Sequence, residues 1–287
     1  MRVVVTGKGG QLALEFEDLK NGDVNWTFLD IHLLDITDEL SVVKYFQNNP
    51  CDLIINCAAY TAVDLAEDNE EMAYKVNQIG VRNLLKVCSS MNAKFIHYST
   101  DYVFDGTKSS PYVETDVPNP RSVYGASKLA GELEIQNSDV QSVIIRTAWV
   151  YSNHGQNFVK TMIRLGNERD ELKVIGDQKG SPTNAADLAK DTLVIINDRR
   201  YQWKIADVFH YSNAGVCSWH DFAKEIFRTA NIDIKTHKIK TEEYPTRAIR
   251  PMYSLLSKHK ISQTFGLDIK NWELSLESML KKEISKS

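Results

Sequence analysis

Tyr124 and Lys128 close the run Tyr124-Gly125-Ala126-Ser127-Lys128, and no other of the 12 tyrosines has a lysine four positions on. On a helix that spacing is one turn, so the two side chains share a face. A free phenol titrates near ~10 and is a poor proton donor or acceptor at neutral pH, whereas an adjacent ammonium favours the phenolate and lowers that value. The pair is therefore expected to do general acid–base work, with Tyr124 protonating a carbonyl oxygen as the carbonyl is reduced. Chance alone supplies about one such pair, so its weight comes from the motif upstream. There Tyr98-Ser99-Thr100-Asp101-Tyr102-Val103-Phe104 ends an apolar run. Ligands of open α/β sheets bind at strand ends, where Ser99 or Thr100 offers a hydroxyl to the substrate oxygen.

A reduction needs a hydride source, and the N-terminus carries residues suited to one. Val3-Val4-Val5-Thr6-Gly7-Lys8-Gly9-Gly10-Gln11-Leu12-Ala13 holds a Gly7-x-x-Gly10-x-x-Ala13 pattern between a first strand and a first helix. Gly7 permits the tight turn, Gly10 lets the backbone approach a pyrophosphate, and a small residue at 13 lets helix and strand pack closely. The helix N-terminus, with Gln11 and Leu12, then faces the phosphates. Asp30 ends the second strand, twenty positions after Gly10. An acid there bonds the adenosine ribose hydroxyls and repels a 2′-phosphate. No arginine follows at 31 to 35, so the cofactor is expected to be NADH or NADPH, with NADH favoured. Asp35 and Ile36 are placed against the adenine. Ala58, Ala59 and Tyr60, after the third strand, are placed along the cofactor's path, although small residues there serve tight helix–sheet packing equally well.

These positions require a particular scaffold. Strands are expected at Arg2 to Thr6, Val24 to Asp30, Asp52 to Cys57, Lys94 to Ser99 and Val140 to Thr147. Helices are expected at Gln11 to Lys20, Thr37 to Asn48, much of Asp64 to Met91, and Tyr124 to Gln136. Such alternation gives parallel strands with crossover helices on both faces. The fold class is thus α/β, a doubly wound parallel sheet of Rossmann type with a smaller C-terminal substrate-binding lobe. Residues 1–150 form the dinucleotide-binding domain and 151–287 mainly the substrate lobe, part of which returns to the main sheet. Helices are expected there at Asn157 to Asn167, Asn184 to Asn197 and Ser218 to Thr229, with Gly176 to Thr183 and Tyr244 to Tyr253 irregular. Asp105 to Arg121, with three prolines, is expected to be a loop.

Composition narrows the partners. Lys and Arg number 34 against 38 Asp and Glu, without a basic patch or charged tail, so no nucleic acid is expected. The absence of an apolar run of bilayer length argues against a membrane, and the cytoplasm is the expected location. Cys51, Cys57, Cys88 and Cys217 form no C-x-x-C pair and are expected to be reduced. The histidines show no ligand spacing, so no metal is expected. A homodimer is left open.

With these residues assembled, the chain resembles the dTDP-4-dehydrorhamnose reductases, a branch of the extended short-chain dehydrogenases/reductases. The matching stretches are Thr6-Gly7 through Gln11-Leu12, Cys57 through Asp64, Tyr98 through Phe104, Tyr124 through Lys128, Arg146 through Tyr151, Asn157 through Met162, Asp177 through Thr183, and Arg250-Pro251. The resemblance implies NAD(P)H-dependent reduction at C4 of dTDP-4-dehydro-β-L-rhamnose to dTDP-L-rhamnose. Thr100, Tyr124 and Lys128 would be catalytic, with Lys128 also on the nicotinamide ribose and Tyr98 beside the cofactor. Asp101, Tyr102 and Trp149 would face the substrate. Trp149 reads alternatively as a core aromatic, and Arg250 either clamps the diphosphate or makes a surface salt bridge. Alanine stands at 13 where the family usually has glycine. Two other functions share these motifs: a reductase or epimerase acting on another nucleotide sugar, and a non-catalytic nucleotide-binding regulatory subunit of the same fold.

Overall fold

The computed structural model describes residues 1–20, 22 and 24–284. The first half runs β1 (Arg2–Thr6), α1 (Gln11–Leu19), β2 (Asn25–Leu29), α2 (Glu39–Asn48), β3 (Leu53–Asn56), α3 (Val63–Ala66), α4 (Glu70–Tyr74), α5 (Gly80–Met91), β4 (Lys94–Thr100) and α6 (Val123–Gln136). It continues with β5 (Ser142–Thr147), β6 (Val150–Tyr151), α7 (Phe158–Glu168), β7 (Glu171–Ile175), β8 (Lys179–Gly180), β9 (Thr183–Asn184) and α8 (Ala185–Asn197). The last part is β10 (Asp207–Tyr211), β11 (Cys217–Ser218), α9 (Trp219–Thr229), β12 (Lys235–Ile239), α10 (His259–Phe265) and α11 (Trp272–Ile284).

β1, β3, β4 and β5 are rich in Val, Ile and Phe and lie almost wholly inside, as strands covered on both faces must. The sheet order is β10-β5-β4-β3-β1-β2, and every neighbouring pair is parallel. Two apolar layers fill its faces. Val42, Phe46, Leu84 and Cys88 cover one, and Ala13, Phe16, Leu188 and Phe209 the other. The chain leaves β1 for β2 on one side and returns to β3 on the other. That reversal opens a crevice beyond the carboxyl ends of β1 and β3, where α/β sheets take ligands.

The doubly wound class read from the alternation is the one observed. Two local differences bear on the site. The helical stretch after Asp64 breaks at Asn69, whose side chain bonds the Leu65 carbonyl at 3.0 Å and ends α3. From Glu70 the helix runs to Met91 but passes through a π turn at Lys75–Ile79. The second difference is a parallel pair, β7 with β12, outside the main sheet. Its inward residues pack with α7, α9 and α11 around Tyr151, Phe222 and Trp272.

Candidate active site

The crevice is a single cleft of about 990 Å³, running from the Gly7–Gly10 turn past Asp30 and Asp35 to Tyr124, Lys128 and Trp149. At its cofactor end, Gly7 has φ +74°, a left-handed value, and a Cβ there would lie 2.6 Å from the Ala58 backbone nitrogen. β1 and β3 are therefore joined so closely that position 7 admits no side chain. Gly7→Ala should cost about 2–4 kcal/mol of stability through strain and backbone displacement. Chemical denaturation reads this, and a parent-like midpoint overturns the assignment. Gly10 precedes α1, which has no side-chain cap and no acid in its first turn. Its first N–H groups thus remain available to an anion. Asp30 Oδ1 accepts from the backbone N–H of His32 and Leu33 at 2.9 and 3.0 Å, which fixes the carboxylate at the strand end. These features suit a pyrophosphate and its ribose.

The chemical end is assembled by β4 and α6. Ser122 caps α6, accepting from the Gly125 N–H at 3.1 Å. A Cβ on Gly125 would lie 2.2 Å from the Tyr102 carbonyl oxygen, so the glycine lets α6 press against the turn that follows β4. Tyr124 is thereby set edge-on to Tyr102, with ring centroids 5.5 Å apart. Thr100 ends β4, accepts from the Tyr102 N–H at 3.2 Å and donates to Asp101 Oδ1 at 3.1 Å. Burial pushes the Asp101 carboxyl up to about 6, and its Oδ2 is enclosed with no hydrogen-bond partner among the described residues. Burial also pushes Tyr124 up to about 12, the neighbouring Thr100 hydroxyl acting the other way. Desolvation pushes Lys128 down to about 8 against the pull of Glu132. The expected lowering of the phenol by the neighbouring ammonium is not what the structure gives: burial dominates at both groups, where charge is poorly solvated.

All but one of the residues singled out from sequence border this cleft: Gly7, Gly10, Gln11, Leu12, Asp30, Asp35, Ile36, Ala58, Ala59, Tyr60, Tyr98, Thr100, Asp101, Tyr102, Tyr124, Lys128 and Trp149. Arg250 is not brought into its lining. Its guanidinium grips Asp64 with two bonds of 2.7 and 3.1 Å, which is the salt-bridge alternative. Trp149 adopts φ +50° and stacks on Trp219 at 3.6 Å, forming an aromatic wall. Trp219 carried no pattern of its own in the sequence; its nearest signal is the Ser218-x-x-Asp221 capping box that starts α9. Asn157 is another lining residue that spacing did not mark. It caps α7 and donates to Gln11 Oε1 at 3.0 Å, tying α7 to the cofactor loop. The π turn supplies a third tie. Asn77 bonds both backbone groups of Tyr60 and donates to Ser127 Oγ at 2.9 Å, joining the β3 end to α6.

Known proteins match this arrangement over nearly the whole chain. The family model described as the RmlD substrate binding domain covers residues 1–285. A dTDP-4-dehydrorhamnose reductase of Sinorhizobium fredii is 42% identical, covering 98% of this chain and 97% of its own. The crystal structure of a dTDP-4-dehydrorhamnose reductase from Clostridium acetobutylicum is 43% identical, with a TM-score of 0.94, covering 99% of this chain and 100% of that one. The Bacillus anthracis dTDP-4-dehydrorhamnose reductase, solved with NADP, is 40% identical with a TM-score of 0.93, covering 98% and 99%. The chain belongs to the dTDP-4-dehydrorhamnose reductase family.

Proposed function

We propose that this chain is an NAD(P)H-dependent oxidoreductase that reduces the C4 keto group of dTDP-4-dehydro-β-L-rhamnose to give dTDP-L-rhamnose. The observation that carries the reading is one continuous cleft, with a dinucleotide-type glycine turn at one end and Thr100, Tyr124 and Lys128 at the other, in a chain of this family. When bound, the reduced nicotinamide supplies the hydride that arrives at C4. The Tyr124 hydroxyl gives its proton to O4 as negative charge develops there. Burial keeps the phenol protonated through the neutral range, so the proton is in place, and positive charge on Lys128 beside it strengthens the phenol as a donor. Thr100 supplies a second hydroxyl beside that oxygen, and its single hydrogen must turn from Asp101 Oδ1, to which it donates at 3.1 Å, in order to reach O4. Lys128 bonds the ribose next to the nicotinamide and supplies positive charge below its titration near 8. Asp101, Tyr102 and Trp149 hold the sugar and its nucleotide. The partner is therefore a small-molecule nucleotide sugar, and no helix among the described residues is long and apolar enough to cross a membrane.

The reading is tested with purified protein, reduced nicotinamide and dTDP-4-dehydro-β-L-rhamnose generated in the cuvette. Loss of nicotinamide absorbance is the expected result. Bound cofactor without oxidation, for NADH and NADPH alike, would move the assignment to another sugar or to a regulatory subunit. Cofactor preference follows from Asp30. The parent should show the higher kcat/KM with NADH, and Asp30→Ala should lower the NADH-to-NADPH ratio by about tenfold. A parent that prefers NADPH, with the ratio unmoved by Asp30→Ala, would remove the ribose role.

A further inference from the structure

Behind Lys128 lies a chain of buried polar groups that the reaction as described leaves unused. Asn56 ends β3, and His97 stands in the middle of β4; both are about 1% exposed or less. Asn56 Oδ1 accepts from the Thr6 hydroxyl at 2.6 Å and from the Ala58 backbone N–H at 3.2 Å. An N–H can only donate, so the Ala58 bond fixes the amide's orientation and turns Nδ2 towards His97 Nδ1, 3.1 Å away. Nδ2 can only donate as well, so Nδ1 of His97 must be the acceptor. A neutral imidazole that accepts at Nδ1 carries its hydrogen at Nε2. That Nε2 lies 3.2 Å from Lys128 Nζ.

Lys128 Nζ has a second partner, the Tyr98 carbonyl oxygen, to which it donates at 2.7 Å. An ammonium carries hydrogens only and would meet the His97 N–H donor to donor. An amine presents a lone pair and accepts from it. We infer that His97, locked by Asn56 as the Nε2–H tautomer, biases Lys128 towards its amine and so makes the lysine's ammonium form an acid strong enough to release its proton in the working range. The other groups facing Lys128 do not reverse the bias. Cys57, after β3, is held as a neutral thiol by burial. Glu132, on α6 with Tyr124, favours the ammonium, but its carboxylate is already held by Arg146 of β5, at 2.6 Å for the closest contact. Tyr124 keeps its proton in the free protein. His97 itself is pushed well down by burial and by Lys128, so it stays neutral.

His97 is thus a positioning residue, acting through Lys128 on the return of a proton to Tyr124 after each turnover. The consequence for turnover rests on the reductase reading, whereas the tautomer and the lysine's titration are measured on the protein alone, so either can fail separately. With ¹⁵N-labelled histidine, two-bond couplings in the parent should show His97 protonated at Nε2 only. Protonation at Nδ1, or an imidazolium, overturns the inference without any variant being needed. In His97→Asn the Nε2–H is gone, and the ¹³Cε titration of Lys128 should move up by about one pH unit or more, a tenfold gain in proton affinity. The corresponding limb of the kcat–pH profile should move with it, while KM stays within about threefold. A Lys128 titration that stays in place or falls in His97→Asn overturns the inference.

Discussion

Tyr124→Phe is expected to lower kcat by two orders of magnitude or more while the cofactor still binds. General acid catalysis by a positioned side chain supplies about 10²–10⁴-fold, and the phenol is the group proposed to supply it. The substitution leaves the ring in place, and the edge-on packing against Tyr102 needs only the ring. What disappears is the hydroxyl, and with it the proton for O4. Thr100 remains, but an alcohol that already donates to Asp101 is a weak replacement. Because the bond to O4 strengthens as charge develops, the loss should appear in kcat rather than in KM. Stopped-flow turnover with cofactor binding measured in parallel reads both. Turnover near that of the parent would falsify the acid role of Tyr124.

Much of this cleft was legible because its residues sit close together in the chain and obey local rules. The Gly7 turn and the Tyr124–Lys128 pair each occupy one loop or one helical turn, and periodicity placed both at the correct ends of strands and helices. What escaped depends on long-range contact. Asn56 and His97 read as ordinary strand residues; only the parallel register of β3 beside β4 reveals that they meet. Asn77 reaches Tyr60 through a π turn that no amphipathic pattern announces. Trp219 meets Trp149 across 70 residues of sequence, both packed against the same apolar cluster. Arg250 shows the converse. Its chemistry suits a diphosphate, but Asp64 lies within reach and takes both arms of the guanidinium. The strands β7 and β12 were missed for a related reason. They are short, half-exposed and paired with each other, so they lack the dense apolar runs that marked the main sheet.

Lys128→Met should abolish most turnover, by about 100-fold or more, and at the same time stabilise the fold at neutral pH. Lys128 is 2% exposed, and burial pulls its titration from 10.5 in the unfolded chain to about 8 in the fold. Between those values the unfolded chain holds a proton that the folded protein does not, so parent stability rises with pH through the window. Below it the parent bears the full cost of an enclosed ammonium. Methionine has similar length and no charge, and it fills the space without that cost. Its loss is the bond to the Tyr98 carbonyl and the contact with His97. These offset part of the gain, leaving about 2 kcal/mol at pH 7. The advantage should shrink as pH passes 8 and reverse near 10.5, where the parent's amine keeps its hydrogen bonds and carries no charge. Thermal unfolding of both proteins from pH 6.5 to 10.5 follows the crossing. A variant less stable than the parent at every pH would show that Lys128 is paired well enough to cost the fold nothing, and stability would then not oppose catalysis at this position.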